Sequence, residues 1–269
     1  MKIITSIFDL NKEIKDYKNI GFVPTIGGIH AGHISLIKAS QNKKSKTIVS
    51  IFVNPTQFNK GDDFKKYPRN IQKDIAILEK LNVEYLFTPN TEDIYKFKAK
   101  KFNLKRKDKI LCAKFRVGHF EGVLNVMNRL MTIIKSKDLY MGEKDYQQLY
   151  LIKKFLSKKF KARINSCPTI RINNIALSTR NKLLKKRSIN KASEIALFLK
   201  KIKYKSKLKG SKLAFNLHNY KKELEKKYKI KIDYLEFRDE KNLKLNNFKN
   251  KYRLFVAYKI DNVRLIDNY

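Results

Sequence analysis

The stretch from Gly21 to His33, GFVPTIGGIHAGH, constrains the fold more than any other part of the chain. The apolar run Ile20 to Val23 leads into it and is closed by Pro24 and then by the adjacent glycines Gly27 and Gly28. A short apolar run stopped by Pro/Gly punctuation reads as a buried strand feeding a tight turn. Past the turn, Ile34, Leu36, Ile37 and Ala39 are spaced for one face of a helix. His30 and His33 therefore stand where a helix begins after a central strand. Amides at a helix start lack intrahelical partners and the dipole favours anions, so a phosphate site is expected here. Three-residue spacing sets both imidazoles on one side of the first turn, as donors to a polyphosphate whose charge grows during reaction. Two alternatives stand beside this: ordinary polar residues at a helix start, or two ligands of an unfinished zinc set. His119, His218, Cys112 and Cys167 form no close ligand pattern with them, which weighs against zinc. The strand, glycine turn and helix favour a nucleotide, although the glycines lack the G-x-G-x-x-G spacing of dinucleotide folds.

The rest of the chain repeats that alternation. Residues 3–5 are expected at a strand edge and Ile7 to Tyr17 as an amphipathic helix. Thr47 to Val53 is a β-branched run buried on both sides, ending at Asn54-Pro55. Ile71 to Leu81 has helical period and Val83 to Phe87 reads as a buried strand. Helices follow over Val123 to Ile134 and Tyr146 to Phe155, with a strand edge over Asp138 to Met141 and a strand over Ala162 to Asn165. Strands and helices in this rhythm predict an α/β fold with a doubly wound parallel sheet. Ligands in such sheets collect at the carboxyl ends of the strands, where Thr25 to His33, Asn54 to Phe58 and Gly142 to Gln148 cluster. Beyond Thr169 the pattern changes: a loop with Asn173-Asn174, a Lys-rich helical stretch from Lys182 to Tyr204, then alternating runs at Ile232 to Arg238 and Leu254 to Ile260. A smaller C-terminal α+β domain is expected, with domains of 1–168 and 169–269.

With 269 residues, either one large domain or two ordinary ones can bury a proper core. No apolar run is long enough to span a bilayer, and no signal peptide is expected, so the expectation is a cytoplasmic protein without a membrane partner. Two distant cysteines fit a reducing compartment. The net charge of +38 would ordinarily suggest nucleic acid. Here the lysines are scattered through every segment beside abundant Asn and Ile, the pattern of an AT-rich compositional bias. Lysine is also a weaker bidentate phosphate reader than arginine, so anionic small substrates are expected and specific nucleic-acid binding is not.

FVPTIGGIHAGH, SIFVNPTQF, YPRNIQKDIAIL, GHFEGV, GEKDYQQL, LSTRN and RLIDN occur in one chain and in one order, from Phe22 to Asn268. Together they resemble the pantothenate synthetase (pantoate–β-alanine ligase) family. A lone HxGH would point only to the wider nucleotidylyl-transferase group; GEKDYQQL and VNPTQF are far more specific. The resemblance implies a Rossmann-like ATP- and pantoate-binding domain, a C-terminal lid domain and a homodimer. It also implies an ATP- and Mg2+-dependent ligation through a pantoyl-adenylate. On it, His30, His33, Lys144 and Arg180 are the catalytic set, with the second histidine as proton donor. ATP would be held by Ile26, Gly27, Gly28, Ile29, His30, Ala31, Gly32 and His33, by Gly142, Glu143, Lys144 and Asp145, and by Ile170, Leu177, Ser178, Thr179 and Arg180. Gln57, Gln148 and Asn54 would line the pantoate pocket, with Gln57 also reaching β-alanine. No direct metal ligands are assigned.

These residue types suit the chemistry. A carboxylate must attack the α-phosphate while pyrophosphate leaves, so two anions meet and fixed donors are the main device. Neutral amides such as Gln57 and Gln148 offer donors and acceptors to a hydroxy acid. Tyr67-Pro68-Arg69 is expected to pack and position rather than react. Several positions depart from the family pattern. Ile26 stands where Met is general, Gly28 where a larger residue is common, and Thr179 where the second Ser is usual. In KFRVGHFEGV, Val117 replaces a turn proline and Glu121 reverses a charge beside the cleft. The Lys96 to Lys114 segment is short and basic.

Overall fold

Six short apolar segments pair into one parallel sheet in the computed structural model, which describes all residues except 59–69, 97, 98, 100, 210–215, 247 and 249. The strands are β1 (Lys2–Ile4), β2 (Ile20–Thr25), β3 (Lys46–Ile51), β4 (Tyr85–Phe87), β5 (Asp138–Gly142) and β6 (Arg163–Cys167), in spatial order β1-β4-β3-β2-β5-β6. Every neighbour pair is parallel. The connections are helical: α1 (Ile7–Ile14), α2 (Ala31–Gln41), α3 (Ile71–Lys80), α4 (Thr91–Lys96), the short α5 (Cys112–Phe115), α6 (His119–Ile134) and α7 (Tyr146–Phe160). Helices on both faces explain why the central strands read as continuous apolar runs. Phe22, Val23, Ile48, Val49, Leu86 and Leu139 are fully enclosed.

The strand order reverses at β2, with β3 on one side and β5 on the other. That reversal is where a doubly wound sheet opens a crevice beyond its strand ends. Pro24 sharpens it. The sequence suggests that Pro24 ends the strand, yet β2 runs on through it to Thr25. The β2–β5 ladder stops at Phe22↔Leu139, so the proline, which has no N–H to give, lies past that pairing and keeps only its β3 neighbour, Ser50. The carboxyl ends of β2 and β5 are thereby left unzipped. β5 is also interior, flanked by β2 and β6, and not the strand edge the sequence suggests. α6 begins at His119, four residues before the expected start at Val123, because the His-Phe-Glu-Gly segment after Gly118 (φ 80°) forms its first turn. The Tyr67-Pro68-Arg69 segment lies outside the described residues.

The residues divide into two compact units, Met1–Thr169 and Ile170–Tyr269. The second opens with the hairpin β7 (Arg171–Ile172) and β8 (Ile175–Ala176), turned by Asn173 and Asn174 at φ 48° and 67°. Left-handed backbone at both turn residues is the type I′ requirement, which Asn tolerates. After it come α8 (Lys186–Lys209), α9 (Leu217–Tyr228) and an antiparallel sheet of β9 (Lys231–Asp239), β10 (Tyr252–Ile260) and β11 (Val263–Asn268), in order β11-β10-β9. Its core gathers Ile195, Leu199, Leu254 and Val256, all fully buried. β9 and β10 were expected; α9 and β11 were not. Among the described residues no helix is long and apolar enough to cross a membrane.

Candidate active site

His30 caps α2 in an extended conformation, and its Nδ1 accepts from the Gly32 amide at 3.1 Å. An accepting Nδ1 places the proton of the neutral ring on Nε2, at the opposite edge of the imidazole. The His33 ring stacks on it, centroids 4.1 Å apart and planes 29° from parallel. The three-residue spacing thus delivers its expected pair. Burial, then the neighbouring His30 and Lys144, push the His33 pKa down to about 3, with Asp145 opposing. With only the protein's own charges around it, His33 is neutral at pH 7. The fixed cation of this corner is Lys144, and a proton-donor role for His33 requires added phosphate charge to raise its pKa. Its Nδ1 is sealed from solvent with no protein partner among the described residues.

The amides are arranged differently from the expectation. Gly27 and Gly28 take φ of 84° and 69°, the left-handed backbone glycine supplies at low cost. Gly27 N–H donates to Thr25 Oγ1 at 3.2 Å. The Gly28 and Ile29 amides both donate to the carboxylate of Asp74, each at 2.8 Å, and the His33 and Ile34 amides bond back to the His30 carbonyl. These amides are held inside the fold, which shifts recognition of an anion towards the side chains His30, His33 and Lys144. Asp74 was missed in the sequence. The signal was present, since it sits beside Ile75 and one turn before Leu78 on the inward face, and is itself buried.

From the end of β5 the chain passes through Gly142 into a single 3-10 turn, Glu143–Asp145. Lys144 Nζ lies 3.4 Å from Asp145 Oδ1, and Glu143 accepts from Ser166 Oγ at 2.7 Å. β2 and β5 thus bring His30, His33, Lys144 and Asp145 to one corner at the unzipped strand ends. Gln148 is half-buried on the first turn of α7; its neighbour Gln147 is buried and donates to the Ile110 carbonyl at 2.7 Å.

Asn54 ends the loop after β3 and caps the 3-10 turn Pro55–Gln57. It is buried, and its Oδ1 accepts from the Thr56 amide, Thr56 Oγ1 and, at 2.5 Å, Tyr95 Oη. Its Nδ2 donates to Gly122 O at 3.2 Å and to Gln57 Oε1 at 3.4 Å. Asn54 therefore orients the Gln57 amide so that Nε2 is the end left for a ligand. Gly122 meets this turn so closely that an added Cβ would stand 2.4 Å from Thr56 O. His119 Nδ1 donates to the Gln57 carbonyl at 2.7 Å. Val117 is exposed, and Glu121 falls in the first turn of α6, where a negative charge complements the helix dipole.

In the second unit, Leu177 N–H donates to Ile170 O at 3.0 Å, and Ser178 caps the 3-10 turn Thr179–Leu183 by accepting from the Arg180 amide at 3.3 Å. Thr179 is buried and Arg180 half-buried.

A family model described as pantoate-beta-alanine ligase matches residues 2–269. A pantothenate synthetase from Flavobacterium psychrophilum is 39% identical over 264 residues, covering 95% of this chain and 93% of its own length. One from Francisella tularensis subsp. novicida is 41% identical over 267 residues, covering 96% and 92%. Among solved structures, a pantoate-beta-alanine ligase from Francisella tularensis, complexed with beta-gamma ATP and beta-alanine, superposes with a TM-score of 0.84 at 39% identity, over 100% of this chain and 97% of that one. The pantothenate synthetase of Thermus thermophilus does so with a TM-score of 0.92 at 28% identity, over 100% and 99%. A family match over residues 2–269, with relatives about 40% identical over nearly their whole length, means that the chain belongs to the pantoate-beta-alanine ligase family.

Proposed function

We propose that this chain joins D-pantoate to β-alanine, converting ATP to AMP and pyrophosphate through a pantoyl-adenylate. The observation that carries the proposal is the stacked His30–His33 pair beside Lys144 at the unzipped ends of β2 and β5. A carboxylate is a poor acyl donor, and its mixed anhydride with AMP is a good one. The pantoate carboxylate attacks the α-phosphorus and pyrophosphate departs; the β-alanine amine then attacks the acyl carbon and AMP departs. Lys144 supplies a permanent positive charge, and the two imidazoles supply N–H donors whose value rises as charge builds on the phosphoryl oxygens. Gln57, aligned by Asn54, and Gln148 hold the hydroxy acid. Ser178, Thr179 and Arg180 are proposed as further phosphate-binding residues, on the resemblance of LSTRN to the family motif.

Among the described residues no three His, Cys, Asp or Glu side chains gather as a metal cage. Mg2+, which the family resemblance implies, keeps several waters and is bound through substrate phosphates and one or two carboxylates. Asp145, beside Lys144, would take it, and the ion would neutralise phosphate charge when bound. Two free cysteines, both buried, support a reducing, cytoplasmic setting. The homodimer rests on the family resemblance, and light scattering of the purified protein checks it.

The test is AMP release with ATP and each acid and amine supplied or omitted. Only pantoate with β-alanine should give sustained turnover. Positional oxygen exchange in ATP should appear with pantoate alone; exchange that needs the amine would rule out a stepwise adenylate.

A further inference from the structure

We infer that His119 is a positioning residue for the acid substrate, acting through Gln57. This rests on the ligase function proposed above. His119 is buried at the first position of α6, and each of its ring nitrogens meets a partner. Arg116 Nη1 lies 2.9 Å from its Nε2, and Gln57 O lies 2.7 Å from its Nδ1. A guanidinium can only donate and a carbonyl can only accept. The ring must therefore accept at Nε2 and donate from Nδ1, so Arg116 selects the one neutral tautomer that holds Gln57.

The contact falls on the last residue of the Pro55–Gln57 turn. Fixing the Gln57 carbonyl fixes the peptide plane that follows it, and with it the direction in which the Gln57 side chain leaves the backbone. The side-chain amide is aligned separately, by Asn54 Nδ2 on Gln57 Oε1. The same helical turn supplies both supports, because Asn54 Nδ2 also bonds Gly122 O. Gln57 thus presents its Nε2 from a backbone and an amide plane that are both set before substrate arrives. Such preorganisation is where a pocket of neutral amides gains affinity for a hydroxy acid.

Two near-isosteres separate this role from general support of the fold. Asparagine places an amide N–H near the position of the imidazole Nδ1, and glutamine places its polar end near Nε2. His119→Asn should keep KM for pantoate within about threefold of wild type, whereas His119→Gln should raise it about tenfold, the scale of one lost hydrogen bond. KM for ATP should stay within about twofold in both, since the phosphate corner uses other residues. The imidazole 15N shifts of wild-type protein should report the Nδ1–H tautomer at His119. Equal effects of the two variants, parallel rises in both KM values, or an Nε2–H tautomer would overturn the role. A wild-type chain that releases no AMP with pantoate and β-alanine would sink the ligase function and this role with it. Wild-type turnover without the split would remove the role alone.

Discussion

The carboxylate of Asp74 and the amide of Gly28 meet at 2.8 Å, with the other carboxylate oxygen on the next amide, Ile29, at the same distance. One side chain from α3 thereby holds the turn between β2 and the histidine pair. The turn is not a self-sufficient glycine loop. Its shape depends on a helix 46 residues further along the chain.

Asp74→Ala should therefore damage both stability and nucleotide binding. Two amides lose their acceptor in a dry site, at a cost of about 1–3 kcal/mol for each buried group left unpaired. Urea unfolding should reveal a loss on that scale, and KM for ATP should rise more than KM for pantoate. Wild-type stability in the variant would mean that the turn holds itself.

His33→Ala should leave the fold intact and slow single-turnover adenylation by about a hundredfold or more, the usual cost of removing one transition-state donor. A folded variant with near-normal adenylation would take His33 out of the mechanism.

The pH dependence follows from the direction of the His33 shift. Its folded pKa, about 3, is below the ordinary value of 6.5, chiefly because of burial. Between these values the unfolded chain binds a proton that the folded chain does not. The stability this group contributes is present above pH 6.5 and is lost as pH falls towards 3. Urea titrations at pH 7 and pH 5 should fall more steeply for wild type than for His33→Gln. Identical slopes would contradict a neutral His33.

Gly122→Ala should act on the other pocket. Its new Cβ would stand 2.4 Å from a backbone oxygen, Thr56 O, which is not free to swing aside as a side-chain end would be. Overpacking of this kind costs about 1–3 kcal/mol. KM for pantoate should rise while KM for ATP holds. Unchanged kinetics and melting would show that the Asn54–Gln57 turn can move.

The charge of +38 should have no specific nucleic-acid partner. Scattered lysines should give weak, sequence-blind binding, with Kd about 10⁻⁴ to 10⁻⁶ M at physiological salt. Filter binding with structured and single-stranded RNA, run beside the AMP-release assay, measures it. Sub-nanomolar or sequence-selective binding would contradict this.

Local order was legible along the chain. Periodicity and Gly/Pro punctuation marked the six parallel strands, most of the helices and the histidine pair, because each signal lies within one or two turns of its own element. Val263 to Asn268 was harder to see. It is short and carries Asp267 and Asn268, and its strand character comes from pairing with Phe255 to Ile260. VNPTQF led to the expectation that Gln57 and Asn54 share one pocket, while the support of the Gln57 carbonyl by His119 Nδ1 was not legible in it. Asp74, an acidic residue on an apolar helix face, was not read from the sequence as the acceptor of two amides.

By itself, the sequence determined where strands, turns and helices form and which polar residues stand at their ends, since those depend on backbone propensity and local spacing. Tertiary structure decided what those residues do. It chose the strand order that opens β2 from β5, gave the Gly28 and Ile29 amides to Asp74, and kept His33 neutral beside Lys144. It also selected the tautomer of His119 through Arg116. Amide partners, protonation and tautomers depend on which groups are packed within a few ångströms and how far water is excluded, and neither is written in spacing along the chain.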